Sequence, residues 1–487
     1  MNAPECLLWR AAQTPNAPAL EWGVGAWNFA ELADRARRGA GYLEEQAPRD
    51  ASPIGLLLEG GAEFAAWFHA VGLAGRTALP LNLRLTAGEL AQQLADARVG
   101  LLLGEAHDGR LEEIAARAQG LRVEAARPLA SLAAPTGRLP GVAAGGGDLP
   151  LAVLFTSGTS GRAKGACLSW SNFHASALAA EDRLGSVVRE RWLACLPLFH
   201  VGGLSILVRS VLFGGPVRLQ TRFDVATLSD ALDGGDIAGV SLVPTMLTRL
   251  LKHRAGRPAP TGLRALLLGG AAASPELLAR ALAAGYPVCP TYGLTEATSQ
   301  VATAAPPRAV ASSPSPLLPL RGTELRIVSE GGDAATGVPG EILVRGPTVM
   351  QGYLHDPQAT ARVLRDGWLY TGDVGYLDAA GALHVLDRRD DLIISGGENV
   401  YPAEVEAVLL EHPLVEDAGV TGLADADLGA RVVAWIVVVA GATLDVESLR
   451  RHCRERLAGY KQPREFRCVA ELPRNAAGKL QRRRLAG

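Results

Sequence analysis

The feature that most limits what this chain can fold into is a rhythm. Short runs of leucine, isoleucine and valine alternate with longer alanine-rich stretches of helical periodicity: PIGLLLEG, GAEFAAWFHAVGLAG, TALPLN, AGELAQQLADA, VGLLLG. A strand covered on both faces is apolar throughout, and two parallel strands need a crossover that a helix supplies. The alternation predicts parallel sheets covered by helices. It resumes at LAVLFTSG, IAGVSLVP and LRALLLGG, without an internal repeat. From about Gly322 the texture changes: TELRIVSE, GEILVRGP and HVLDRR read as short strands between glycine-rich turns, and Pro306 to Pro319 as an ordered surface loop. After the charged stretch LDRRDD comes a compact tail, with PAEVEAVLLEH and VESLRRHCRERL as helices and RVVAWIVVV as a strand. The expected fold class is α/β. Residues 1–388 form a large N-terminal domain of parallel α/β sheets plus a β-rich subdomain, and residues 389–487 a small α+β C-terminal domain.

Composition narrows the function classes. A chain of 487 residues with 48% hydrophobic and 20% charged residues builds a large core rather than a disordered tail. A formal net charge of −2 gives no electrostatic case for nucleic acid or an anionic membrane. The six cysteines form no C-x-x-C pair, so they read as reduced residues of a cytoplasmic protein. The start, MNAPECLLWRAAQ, lacks a basic region followed by an apolar one, so no secretion signal is expected. Trp192 to Val208 carries no charge, but Pro197, His200 and Gly202-Gly203 interrupt it. A strand, a loop and a buried helix fit it better than a membrane span.

The stretch FTSGTSGRAKG sets four hydroxyls, three glycines and Lys164 within about ten residues, a donor set suited to phosphate. It is not G-x-x-x-x-G-K-[ST], because Lys164 stands three residues after Gly161. Nor is it G-x-S-x-G, because Arg162 stands where the second glycine would be. A plain glycine-rich turn after the strand LAVLF is the bland alternative.

TSGTSGRAKG resembles the signature loop of the adenylate-forming enzymes, the superfamily of acyl- and aryl-CoA synthetases, luciferases and peptide-synthetase adenylation domains. TYGLTEATSQ, YTGDVG, LDRRDDLIISGGENVYPAEVE and PRNAAGKLQRR resemble its later motifs, in family order and over essentially the whole chain. The resemblance implies ATP, Mg²⁺, coenzyme A and a small-molecule carboxylic acid as ligands, a mobile C-terminal domain, and a homodimer as an assembly to test. Thr156, Ser157, Thr159 and Lys164 would hold the β- and γ-phosphates, Thr295 the α-phosphate, and Glu296 the metal. Asp373 and Arg388 would take the ribose, Tyr292 would stack on adenine, and Gly269, Gly270 and Ala271 would line the adenine pocket. Lys479 would bridge substrate carboxylate and phosphate during adenylation. Asp390 would be the hinge, and Gly396 and Gly397 would admit the pantetheine arm. His200 alone on an apolar segment is usually a core residue; its family position is the wall of the acyl site, where it would gate or polarise the carboxylate.

LPLFHVGGLSILVRSVLFG, with TYGLTEATSQ, is most similar to the 2-succinylbenzoate–CoA ligases of menaquinone synthesis, which act on an aromatic dicarboxylate. A second buried carboxylate needs a cation or several donors; Ser205, Arg209, Ser299 and Gln300 are the candidates. The chain departs from the family at Leu317-Leu318-Pro319-Leu320, at Asp387-Arg388 and at Val201-Gly202, and the first and last of these bear on the acid pocket. Another aryl or medium-chain acid–CoA ligase, an adenylating enzyme loading a separate carrier protein, and a non-catalytic nucleotide sensor stay open at this point.

Overall fold

Each apolar run becomes a strand, and most of the alanine-rich stretches between them become helices. The computed structural model describes residues 3–47, 52–135, 137, 139, 149–156, 163–271, 273, 275–307, 314–329, 332–387, 392–439, 441–442, 445–473, 480 and 482–485. Two large sheets form the body. One has seven strands, with Ala78–Pro80, Ile54–Leu57, Leu101–Gly104 and Arg122–Ala125 running parallel beside the antiparallel pair Pro150–Thr156 and Lys164–Ser169. The other has nine strands, its parallel centre formed by Val288–Tyr292, Ala265–Leu268, Gly239–Leu242, Trp192–Ala194 and Val217–Leu219. The helix Ala62–Leu73 is buried at every position except Glu63 and touches strands of both sheets. That explains why GAEFAAWFHAVGLAG has no polar face.

The uncharged segment resolves as a strand, Trp192–Ala194, and a buried helix, Val201–Phe213. Among the described residues no helix is long and apolar enough to cross a membrane. Thr86 and Glu89 form a capping box at the start of the helix Ala87–Asp96.

The β-rich section is a six-stranded sheet that includes Glu324–Ser329, Gly340–Arg345, Trp368–Leu377 and Leu383–Asp387. Of the expected loop, Leu318–Pro319 forms an edge strand of the nine-stranded sheet, and the Pro319 carbonyl accepts from Arg183 at 2.9 Å. The tail carries a five-stranded sheet with its own core around Val405, Val420, Ile436 and Leu449, covered by the helices Pro402–Leu410 and Val446–Arg456. The expected boundary at 388/389 lies outside the described residues.

Candidate functional site

In parallel α/β sheets the backbone groups at the carboxyl ends of the strands are free, and ligands collect there. Here a cavity of about 310 Å³ lies where such ends from both sheets meet. Pro80, Phe155 and Thr156 reach it from one sheet; Leu242, Gly269, Gly270 and Thr291 reach it from the other. Its other walls include the 293–300 loop, Tyr370 to Asp373, Gly396 to Asn399 of the C-terminal sheet, and Tyr460 and Lys461.

One wall gathers oxygen ligands. Glu296 sits on a short helical turn, and its Oε1 accepts from the Tyr353 hydroxyl at 2.8 Å. The Thr156 hydroxyl lies 3.3 Å from the same oxygen and 3.4 Å from the Lys164 carbonyl, with one proton for the two acceptors. The Lys164 ammonium stands 5.3 Å from the Tyr353 ring centroid. Tyr353 is placed by pairing of Gly352–Tyr353 with the strand that begins at Lys164. The loop behind Glu296 is tight: a Cβ on Gly293 would meet the Ser299 carbonyl oxygen at 1.5 Å, and Thr298 and Ser299 both adopt positive φ.

Asp373 is held next to this group. Its strand bulges against Gly340–Arg345, with Gly372 at φ 74 and the Gly372 amide donating to Glu341 Oε1 at 2.9 Å. The Tyr292 hydroxyl donates to Asp373 Oδ2 at 2.7 Å. Tyr292 is 4% exposed and off the cavity wall, so the stacking face expected of it is buried instead; what its side chain offers is support for Asp373. Ala271 likewise lies off the wall that Gly269 and Gly270 form.

The acid candidates share this cavity. Ser205, Arg209, Ser299 and Gln300 all line the cavity. The Ser205 proton is committed to the Val201 carbonyl, and Gln300 Nε2 donates to Thr303 Oγ1. Arg209 is different. It is 5% exposed and stacks at 4.7 Å on the Trp192 ring, and no hydrogen bond or ion pair among the described residues reaches it. Burial lowers it to about 10, which leaves it charged at neutral pH. Val201 and Gly202 line this pocket, whereas the 317–320 departure does not.

The third wall joins two regions of the chain. His200 precedes the helix Val201–Phe213, held by Gly203, where a Cβ would meet the Pro197 carbonyl oxygen at 2.3 Å. Its Nε2 lies 3.2 Å from Glu398 Oε2, and Arg84 donates to Glu398 Oε1 at 2.9 Å. Burial works to raise the Glu398 carboxyl, but His200, Arg84 and Lys461 outweigh it and hold it below its usual range. Gly396 and Gly397 both take positive φ, as close backbone approach to the cavity requires.

Ser157, Thr159, Arg388, Asp390 and Lys479 lie outside the described residues. Sequence reasoning missed Tyr353, Glu398 and Arg84. Glu398 had a signal, since it directly follows the two glycines singled out in SGGENVYP; Tyr353 and Arg84 sit in no motif quoted for the family.

A family model for the AMP-binding enzyme matches residues 7–354, and one for the AMP-binding enzyme C-terminal domain matches residues 404–479. The 2-succinylbenzoate–CoA ligase of Geobacillus kaustophilus (strain HTA426) is 42% identical over 489 residues, covering 99% of this chain and 97% of that one. Two solved structures of o-succinylbenzoate CoA synthetase (MenE) from Bacillus subtilis cover 99% of this chain, and 98% of each is matched. A double mutant with the product analogue OSB-NCoA is 37% identical with a TM-score of 0.90; the complex with the acyl-adenylate intermediate OSB-AMP is 36% identical with a TM-score of 0.74.

Proposed function

This chain belongs to the AMP-binding enzyme family, and on that premise we propose that it is an ATP-dependent carboxylic acid–CoA ligase acting on 2-succinylbenzoate. The reaction runs in two steps. A carboxylate oxygen of the acid attacks the α-phosphorus of ATP and pyrophosphate leaves, giving a mixed anhydride. The thiolate of coenzyme A then attacks the acyl carbon, and AMP leaves with the bridging oxygen. Neither step needs a covalent enzyme intermediate, so positioning and charge neutralisation supply the rate.

The residues divide the work accordingly. Thr156 and Lys164, with Ser157 and Thr159, take the β- and γ-phosphates, and Thr295 takes the α-phosphate. Glu296 supplies a hard oxygen beside the Thr156 hydroxyl, a donor set that fits Mg²⁺ bound together with substrate phosphates. The bound cation neutralises charge on those phosphates. Asp373, aimed by Tyr292, accepts from the ribose hydroxyls, and Arg388 is assigned to the same ribose. Lys479 neutralises charge between acid and phosphate in the first step. In the second step, Gly396 and Gly397 admit the pantetheine arm, and the C-terminal domain (from residue 389) turns about Asp390 between steps. His200, held 3.2 Å from Glu398, is assigned to the wall of the acyl site, where it gates or polarises the carboxylate. We propose a cytoplasmic location, a reading supported by the use of ATP and coenzyme A and by six cysteines without a disulfide.

The observation that carries the choice of acid is Arg209: a buried guanidinium on the cavity wall with no carboxylate partner among the described residues. A dicarboxylic acid would supply that missing partner, and a monocarboxylic acid would leave the cation bare. A panel of aryl and medium-chain acids, assayed for CoA-dependent AMP formation, tests this. The expected result is thioester from 2-succinylbenzoate and little from the monocarboxylates. Equal turnover of monocarboxylates, or adenylate that only a carrier protein discharges, would overturn it.

A further inference from the structure

The third wall has an anchor outside the reacting groups. Lys461 is 5% exposed, and its ammonium lies 2.8 Å from Glu89 Oε1 and 2.6 Å from Glu404 Oε1. Glu404 belongs to the helix Pro402–Leu410 of the C-terminal sheet; Glu89 belongs to the helix Ala87–Asp96 of the body. Glu89 is aimed in advance, because its other oxygen accepts from the Thr86 amide and hydroxyl at 2.8 and 2.9 Å. Next to Lys461, the Tyr460 hydroxyl accepts from Asn82 at 3.3 Å, and Tyr460 packs against the body core and the C-terminal core at once. Ala458 is buried wholly in the body core. Arg84, which holds Glu398, lies in the same body segment.

Burial alone would lower Lys461, but the neighbouring Tyr460, Glu404 and Glu89 raise it, so the ammonium stays charged. Two carboxylates share this one cation, and Glu404, buried with Oε2 unpartnered, is pushed up by that burial despite Lys461. A buried ion pair is weak evidence of stability but strong in register, since its charges are satisfied in one geometry only. If the C-terminal domain turns, Lys461 keeps Glu404 and loses Glu89.

We infer that Lys461, bridging Glu404 to Glu89, is a positioning residue that latches the C-terminal domain in the arrangement with Gly396–Glu398 in the cavity, so that thioester formation depends on it and adenylation does not. This rests on the two-step ligase reading. Lys461→Met keeps the aliphatic stem and removes the charge; Glu89→Gln keeps an oxygen for the helix cap and removes the body's arm of the latch, which covers the case of a misfolded Lys461 variant. Adenylation is read by acid-dependent ATP–pyrophosphate exchange, and the second step by single-turnover thioester formation from synthetic acyl-adenylate and coenzyme A. The expected result is exchange within about twofold of the parent in both variants, thioester formation slowed about tenfold or more, no further loss in the double variant, and recovery with Lys461→Arg. Equal loss of both steps, or no loss in either, overturns the latch. A parent protein that performs neither step overturns the ligase reading instead.

Discussion

Two walls of one cavity are built on different terms. Glu296, Thr156 and Tyr353, and likewise Asp373 and Tyr292, are joined by hydrogen bonds within the body. Glu398 reaches His200 and Arg84, and Lys461 reaches Glu89, from the C-terminal region. The first set lies within the body; the second joins the C-terminal region to the body. On the proposed mechanism the nucleotide chemistry belongs to a fixed frame and the thiol chemistry to a docked one.

Damage to the fixed frame has the largest effect. Glu296→Gln should lower acid-dependent pyrophosphate exchange by about 10²–10³-fold, and thioester formation from supplied acyl-adenylate much less. A variant impaired only in the second step would break the comparison. Glu398→Gln should do the reverse, with exchange near the parent rate and thioester formation slowed roughly 10–100-fold as the charge facing His200 and Arg84 is lost. Arg209→Leu sharpens the reading of the acid: kcat/KM for the dicarboxylate should fall about 10–100-fold, the worth of a charge-assisted hydrogen bond. A monocarboxylate analogue should be untouched.

A last effect, on stability and not on either half-reaction, concerns neither wall. Burial alone lowers the His69 imidazole to about 4, so it is neutral in the fold at pH 7. Between that value and the ordinary histidine range the unfolded chain binds the extra proton. Stability present at neutral pH is therefore lost as the pH falls through that window, by up to roughly 3 kcal/mol. Chemical denaturation across that range should show His69→Phe with a flatter acid limb and both half-reactions intact. Unequal damage to the half-reactions would mean that the core feeds one wall more than the other.

The fixed frame was largely legible in the sequence, because it is local. Thr156, Glu296 and Asp373 each stand in a short motif, and the βαβ rhythm puts Gly269 and Gly270 at a strand end. The docked wall was not. Lys461 and Glu89 are 372 positions apart, and each alone reads as a solvated surface charge. Tyr292 was misjudged for a related reason. Its motif points to the nucleotide, but a bulge in a distant strand brings Asp373 to its hydroxyl and turns a stacking face into a strut. The Leu317–Leu320 departure looked like pocket chemistry and proved to be an edge strand. Arg209 could be named from sequence, but only the fold gives it a cavity wall and no partner among the described residues.

The mixed anhydride itself is the claim on which both walls depend, and an isotope tests it. The protein is incubated with 2-succinylbenzoate labelled with ¹⁸O in its carboxylates, unlabelled ATP, Mg²⁺ and coenzyme A, and the AMP released is analysed by mass spectrometry. One labelled oxygen in each AMP, formed together with the thioester, is the predicted result. Thioester accompanied by unlabelled AMP would contradict the account.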